Sequence, residues 1–260
     1  MTEAPPTGTQ AVGRALSVLR LLSETGTEQS ISEVAEKLGL SSGTANRIMR
    51  ALAAERLVAR NPQTDSYFLG SGAVLLGQAA QRGFGLDKML PILKRLNQET
   101  EESVNLSIRE SHESVVMLRV QSTLPLRFEQ HTGARFPLYT TASGKAILAF
   151  SPNASDYLGT LPTRLEKVTP HSLGTRTDLE QVIQETRERG FSIDEQENVE
   201  GVRSVGAPVL DAFGNAQAAI VIQVPAVRMP TSRVSELGQR IMVAAREASN
   251  FVPLDRPLAP

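Results

Sequence analysis

Cysteine and tryptophan are both absent from this 260-residue chain, histidine occurs three times, and aromatic residues make up only 4%. Without cysteine there is no disulfide framework, no thiolate metal site and no cysteine nucleophile, a composition that suits a reducing compartment. No apolar run approaches the ~18 residues needed to cross a membrane. The opening residues, Met-Thr-Glu-Ala-Pro-Pro-Thr-Gly, lack the basic and apolar regions of a secretory signal. A cytoplasmic protein with no membrane partner is therefore expected. Neither sign of charge is in excess: 27 Lys and Arg stand against 28 Asp and Glu, for a formal net charge of -1. That balance speaks against a chain that coats nucleic acid along its whole length. It leaves room for a small basic surface on one domain, because net charge averages over everything. The length and the 40% of hydrophobic residues are enough for one large domain or two ordinary ones.

Residues 1–9 are polar and carry two prolines, so a disordered tail is expected there. A helical pattern follows, with Val12, Leu16, Leu19 and Leu22 at spacings of three and four and with Ala15 and Val18 widening the stripe. Ser30 and Glu33 have the spacing of a capping box, opening a second helix with Ile31, Val34, Ala35 and Leu38 inward and a stop at Gly39. A third helix, capped by Ser41 or Ser42, buries Ala45, Ile48, Met49 and Leu52. Two short strands at 57–60 and 66–69 flank Asn61-Pro62-Gln63-Thr64-Asp65, which has hairpin-turn chemistry. Amphipathic helices are predicted over 71–81 and 87–101, their apolar faces packing against a partner subunit. Beyond them, strands near 103–109, 114–120, 126–130, 191–195, 205–210 and 216–224 alternate with helices near 142–150, 178–189 and 231–249. That mixed order indicates an α+β domain with a mainly antiparallel sheet. The proline-rich stretch 253–260 is expected to be a flexible tail.

Charge becomes informative once the chain is split. Residues 1–70 hold seven basic and seven acidic side chains, yet between positions 41 and 60 Arg47, Arg50, Arg56 and Arg60 face only Glu55. Three helices followed by a β-hairpin is the layout of a winged helix-turn-helix, whose last helix enters the DNA major groove. The third helix presents Ser42, Thr44, Asn46, Arg47 and Arg50 away from its apolar stripe. Hydroxyls at its start, Ser41 included, suit a phosphate oxygen, Asn pairs with adenine and Arg with guanine. Double-stranded DNA is the partner these residues imply. Glu55 and Arg56 are read as solvated surface.

The second half offers little catalytic chemistry. Thr140-Thr141-Ala142-Ser143-Gly144-Lys145-Ala146 ends like a phosphate loop, but Tyr139 stands where the first glycine belongs and Ala146 replaces the hydroxyl that would hold magnesium. Ser143 lacks both the nucleophile elbow and the S-x-x-K spacing. What remains is a helix start with small residues and free N–H groups, suited to a ligand carboxylate. His112, His131 and His171 are scattered, and Asp194, Glu195, Glu197 and Glu200 read as a solvated acidic loop. No catalytic residue, metal site or cofactor is expected. The competing reading, a hydrolase or transferase built on Ser143 or Asp194 with an accessory winged helix, has no positive motif behind it. A winged helix that contacts protein rather than DNA would differ in its salt dependence.

At this point the chain resembles the IclR family of transcriptional regulators. The resemblance rests on Arg14-Ala15-Leu16-Ser17-Val18-Leu19, on Ile31 through Leu40, on Thr44, Arg47 and Leu57-Val58, and on Tyr67-Phe68-Leu69-Gly70. It extends to Phe191-Ser192-Ile193-Asp194-Glu195 and Gly201 through Val209. It implies a DNA-binding domain at 10–70, a linker helix at 71–84 and a GAF-like α+β effector-binding domain at 85–252. It also implies a homodimer or homotetramer, probed by a small-molecule effector that modulates a repressor on its operator. By the same resemblance the effector lies between Ala142, Ser143, Asp194, Ser204 and two inward positions of the last strand, Val221 and Gln223, which share a face by alternation. Phe128, with Leu126, would add an apolar wall from the strand expected at 126–130. Four positions depart from the family pattern. Gly43 stands where a Ser usually precedes Thr44, Ser204 where Cys is common, and Val221 and Gln223 where members that bind small oxo-acids have serines. Val221 and Gln223, with the apolar wall of Phe128 and Leu126, predict an organic acid bulkier or less polar than a two- or three-carbon one.

Overall fold

The computed structural model describes residues 9–252; the tails expected at 1–9 and 253–260 lie, but for Thr9, outside them. The chain divides into two compact units, one up to Gln81 and one from Arg82 onward.

The smaller unit contains α1 (Gln10–Thr25), α2 (Ile31–Lys37), α3 (Ser42–Ala54), β1 (Val58–Arg60), β2 (Tyr67–Leu69) and most of α4 (Ser71–Gly83). It is a winged helix-turn-helix. Ser30 and Glu33 close the capping box of α2 reciprocally, and Ser41, not Ser42, caps α3. Val18, Leu22, Val34, Ala45, Ile48, Met49, Leu52, Val58 and Tyr67 form its core. The predicted stripe of α1 is rotated: Val12 and Leu16 are 60% and 51% exposed, and Val18 and Leu22 are the buried pair. None of α4 is buried, and Val74, Leu75 and Leu76 are 56–64% exposed.

The larger unit is built on a six-stranded antiparallel sheet ordered β5-β4-β3-β8-β7-β6. Its elements are α5 (Leu86–Thr100), β3 (Ser103–Glu110), β4 (Glu113–Val120), β5 (Arg135–Pro137), α6 (Ala142–Ala149), α7 (Ala154–Thr160), α8 (Arg176–Arg189), β6 (Ser192–Glu195), β7 (Val202–Leu210), β8 (Ala216–Pro225) and α9 (Thr231–Ser249). Strand alternation sorts the side chains into two faces. Val104, Leu106, Ile108, Val205, Ile220 and Ile222 pack under α5 and α9 in the main core. Asn105, Ser107, Ser204, Val221 and Gln223 face the other way, toward α6.

Three expectations fail here. Leu126–Gln130 is not a strand; the edge strand is β5 instead. Pro125 precedes it, and the carbonyls of Leu124, Leu126 and Phe128 accept from Arg127, Arg228 and Arg119 rather than from a ladder. The apolar face of α5, with Leu86, Met89, Ile92, Leu93 and Leu96, is consumed by its own domain's core and not offered to a partner subunit. Finally α8 begins two residues early, because Thr175 and Asp178 make a capping box, and α7 was not anticipated.

Candidate functional site

Two places concentrate polar chemistry. On α3, the residues between the buried positions point outward: Ser42, Asn46, Arg47 and Arg50 are exposed, while Ala45, Ile48 and Met49 are buried. Ser41 accepts from the Thr44 backbone N–H, and its hydroxyl lies 2.9 Å from that of Thr44, which fixes the first turn. Arg47 and Arg50 line a shallow surface concavity with Gly43, Asn46 and Ala51. Among the described residues neither arginine has a carboxylate partner, whereas Arg60 in the wing is tied to Asp65. A row of donors with no internal acceptor is what phosphates and base edges require. The wing is held by a group that sequence reading missed. Glu28, 33 residues upstream, accepts from Asn61 Nδ2 at 2.8 Å and from the Thr64 hydroxyl at 2.7 Å. Those hydrogen bonds hold the Glu28 carboxyl below the usual carboxylate range.

The second place lies between α6 and the polar face of the sheet. Thr141 caps α6 by accepting from the Gly144 N–H at 3.0 Å. A Cβ on Gly144 would stand 2.0 Å from the Leu138 carbonyl oxygen, and one on Gly206 would stand 2.8 Å from that of Ala142. Both glycines thus permit backbone approaches that no side chain allows, and Ser192 donates to the Ala142 carbonyl at 2.6 Å to complete the docking. The helix start is pressed against the sheet, and a small cavity remains beside it. Its walls include six of the seven expected effector residues: Ala142, Ser143, Asp194, Ser204, Val221 and Gln223. Phe128 is not among them. Its strand does not form, and the apolar wall comes from Val116 and Phe136 instead. Also unforeseen are Asn105, Ser107, Gln130 and Asn198.

The cavity is polar at both ends. Asp194, buried, accepts from the Glu197 N–H at 2.7 Å and from the Ser204 hydroxyl at 2.9 Å. Burial pushes its carboxyl up to about 6, with Glu197 adding to the rise and Lys145 opposing it. Lys145, fully buried on α6, donates to Glu197 at 2.5 Å. At the other end Gln223 Oε1 accepts from Asn105 Nδ2 at 2.7 Å and from Arg119 at 3.1 Å, and Gln223 Nε2 donates to Gln130 at 2.9 Å. Ser143 shares a hydrogen bond with Ser114 at 2.7 Å and donates to Thr141, so no base activates it as a nucleophile. The free volume is about 20 Å³, room for about one water. A larger groove of about 560 Å³ lies elsewhere, among Phe150, Pro208, Leu210, Met242, Ala245 and Val252. It is chiefly apolar and open and gathers few polar groups, so convergent chemistry, not size, singles out the smaller cavity. Among the described residues no group of three or more His, Asp or Glu could hold a metal, and no helix is long and apolar enough to cross a membrane.

Comparison with known proteins identifies the two domains that carry these places. Residues 11–62 match the IclR helix-turn-helix domain and residues 86–250 match the bacterial transcriptional regulator IclR C-terminal domain. Among curated relatives, the HTH-type transcriptional regulator BhcR of Paracoccus denitrificans is 30% identical over 93% of this chain and 87% of its own. The transcriptional repressor IclR of Escherichia coli is 28% identical over 95% and 91%. Among solved structures, a transcriptional regulator from Rhodococcus superposes with a TM-score of 0.81 at 27% identity, covering 94% of this chain and 98% of that one. The matched families are regulators and not enzymes.

Proposed function

Because the chain belongs to the IclR family of DNA-binding transcriptional regulators, we propose that it represses genes in the cytoplasm from a double-stranded operator and that an organic acid modulates this binding. The observation that carries the DNA half is the outer face of α3, where Asn46, Arg47 and Arg50 stand exposed and, among the described residues, unpaired, opposite a buried stripe. In this reading Asn46, Arg47 and Arg50 read base edges, and Ser41, Ser42 and Thr44 seat a phosphate. Arg47→Ala should weaken operator binding about 5- to 150-fold, the worth of a bidentate base contact at ~1–3 kcal/mol. A gel-shift titration on fragments selected by the protein from a random library measures it; unchanged affinity removes Arg47 from the interface. The wild-type affinity should also fall steeply with salt, as phosphate contacts demand.

The effector half rests on the cavity of Ala142, Ser143, Asp194, Ser204, Val221 and Gln223. Val12 and Leu16 on α1 and Val74, Leu75 and Leu76 on α4 support a homodimer or homotetramer, since such apolar side chains are normally covered. Sedimentation equilibrium should return two or four times the 28.1 kDa chain mass. Effector binding biases DNA affinity by a coupling of the ordinary ~1–3 kcal/mol.

A further inference from the structure

Arg119 is a partly buried cation whose side-chain hydrogen-bond partners are all neutral. It lies on β4 directly across from Asn105, which is itself across from Val221, so all three share the cavity face of the sheet. Its Nη1 donates to Asn105 Oδ1 at 3.2 Å and to Gln223 Oε1 at 3.1 Å, its Nη2 donates to the Phe128 carbonyl, and its Nε is buried with no acceptor. Among the described residues no carboxylate pairs with it. Three other partly buried arginines of this unit do have carboxylates, Arg203 with Glu195 and Arg228 and Arg233 sharing Glu102, while Arg109 lies over the Tyr157 ring. Burial disfavours the charge on Arg119, with Glu129 and Arg127 acting on it in opposite directions. A partly desolvated guanidinium without a counter-ion gains when an anion reaches it.

Gln223 Oε1 occupies the place such an anion would take. A guanidinium N–H and an amide N–H converge on that one oxygen, a donor pair that binds an ionised acceptor about twice as strongly as a neutral one. The cavity has room for about one water and none for an organic acid. Gln223 is a long side chain tethered at its nitrogen only by Gln130. Its rotation would open volume and uncover the two donors in the same movement. The opposite end has the reverse character. Gln223, Ser204 and Asp194 are in register across β8, β7 and β6, which sets Gln223 and Asp194 about 10 Å apart at their Cα atoms, two strand spacings. Asp194 repels a carboxylate and accepts from a hydroxyl.

We propose that Arg119 and Asn105 form the carboxylate seat of the effector, that Gln223 is a resident surrogate which the carboxylate displaces, and that the ligand is a hydroxy acid whose hydroxyl end points to Asp194 and Ser204. The proposal rests on the reading of this cavity as the effector site. Its test is calorimetric titration of the full chain with lactate, hydroxybutyrate, hydroxyhexanoate and hydroxybenzoate, each beside its primary amide. At least one acid binds, its amide binds about tenfold or more weakly, and Arg119→Gln loses about tenfold or more, the ~1.4 kcal/mol or more of a charge-assisted bond. Arg119→Lys restores part of the affinity, and Gln223→Ala strengthens binding because no side chain must leave. Amide binding equal to the acid, full binding by Arg119→Gln, weaker binding by Gln223→Ala, or no acid binding to wild type or Gln223→Ala would each overturn the proposal. Should Arg119→Gln fail to fold, the acid–amide comparison and Gln223→Ala still decide. A parallel gel shift separates this proposal from the effector reading. An acid that releases operator equally from wild type and Arg119→Gln defeats only the carboxylate seat. An acid whose binding depends on Arg119 but leaves operator affinity unchanged defeats only the effector role.

Discussion

Lys145→Met should destabilise the larger unit by about 3–5 kcal/mol, the usual cost of removing one partner from a buried ion pair. Lys145 has no exposed surface and the Glu197 side chain is 7% exposed. The same ammonium opposes the rise that burial imposes on the Asp194 carboxyl, so one positive charge serves two buried carboxyl groups. Glu197 Oε1 accepts further from the Glu195 N–H at 3.3 Å, while its Oε2 is buried without a donor. That carboxylate has no spare partner to replace the lysine. Methionine keeps the length and apolar stem, so the loss isolates charge from packing. At ~2–4 °C per kcal/mol for a unit of this size, the midpoint of thermal unfolding should drop by roughly 6–20 °C. Adding Glu197→Gln to Lys145→Met should recover more than half of the loss. A drop worth under ~1 kcal/mol, or no recovery in the double variant, would show that the pair is not what holds α6 to the loop after β6.

The place of Lys145 shows what sequence could and could not reveal. Its neighbours Gly144 and Ala146 suggest only a failed phosphate loop, and the partner that explains it lies 52 residues away. Local signals carried well: Ser30 with Glu33, Ser41 before α3 and the Asn-Pro turn each state their structure within a few residues. Alternation on β8 correctly set Val221 and Gln223 on one face. Strict alternation does not hold on β4, because its pairing with β3 shifts between Leu106 and Ser107. Val116 and Arg119, three residues apart, consequently lie on the same face of the sheet, although strict alternation would put them on opposite faces. Alternation therefore does not show that Arg119 stands behind the cavity wall, against Asn105 and Gln223. Phe128 was misplaced for a related reason, since distant arginines claim the carbonyls its strand would have used. On α1 the apolar pattern was read correctly as a helix, but Val12 and Leu16 widen the stripe beyond what one chain covers.

Asp194→Asn should make the protein more stable near neutral pH and at the same time blunt its response to effector. The carboxyl sits at about 6 in the folded chain against 3.8 for the free group, chiefly because burial disfavours its charge. Below pH ~3.8 both folded and unfolded chains hold the proton, and Asp194 contributes no penalty. As the pH rises toward ~6 the unfolded chain releases its proton first, so stability falls across that window. Above it the penalty is complete at roughly 3 kcal/mol, from ~1.4 kcal/mol per pKa unit. Asparagine cannot ionise, yet its amide oxygen can still accept from the Glu197 N–H and its amide nitrogen can donate to the Ser204 hydroxyl. The variant should therefore melt about 6–12 °C higher near neutral pH, with the difference vanishing below pH ~4. A variant that melts lower at neutral pH would mean that Lys145 stabilises an ionised Asp194 outright. The functional arm is independent of the thermal one: titration with the effector should show weakened binding, because a carboxylate acceptor has been exchanged for a neutral one. Higher stability joined to a poorer response is the pattern of a group kept for its ligand at a cost to the fold, and it would place Asp194 at the hydroxyl end of the site.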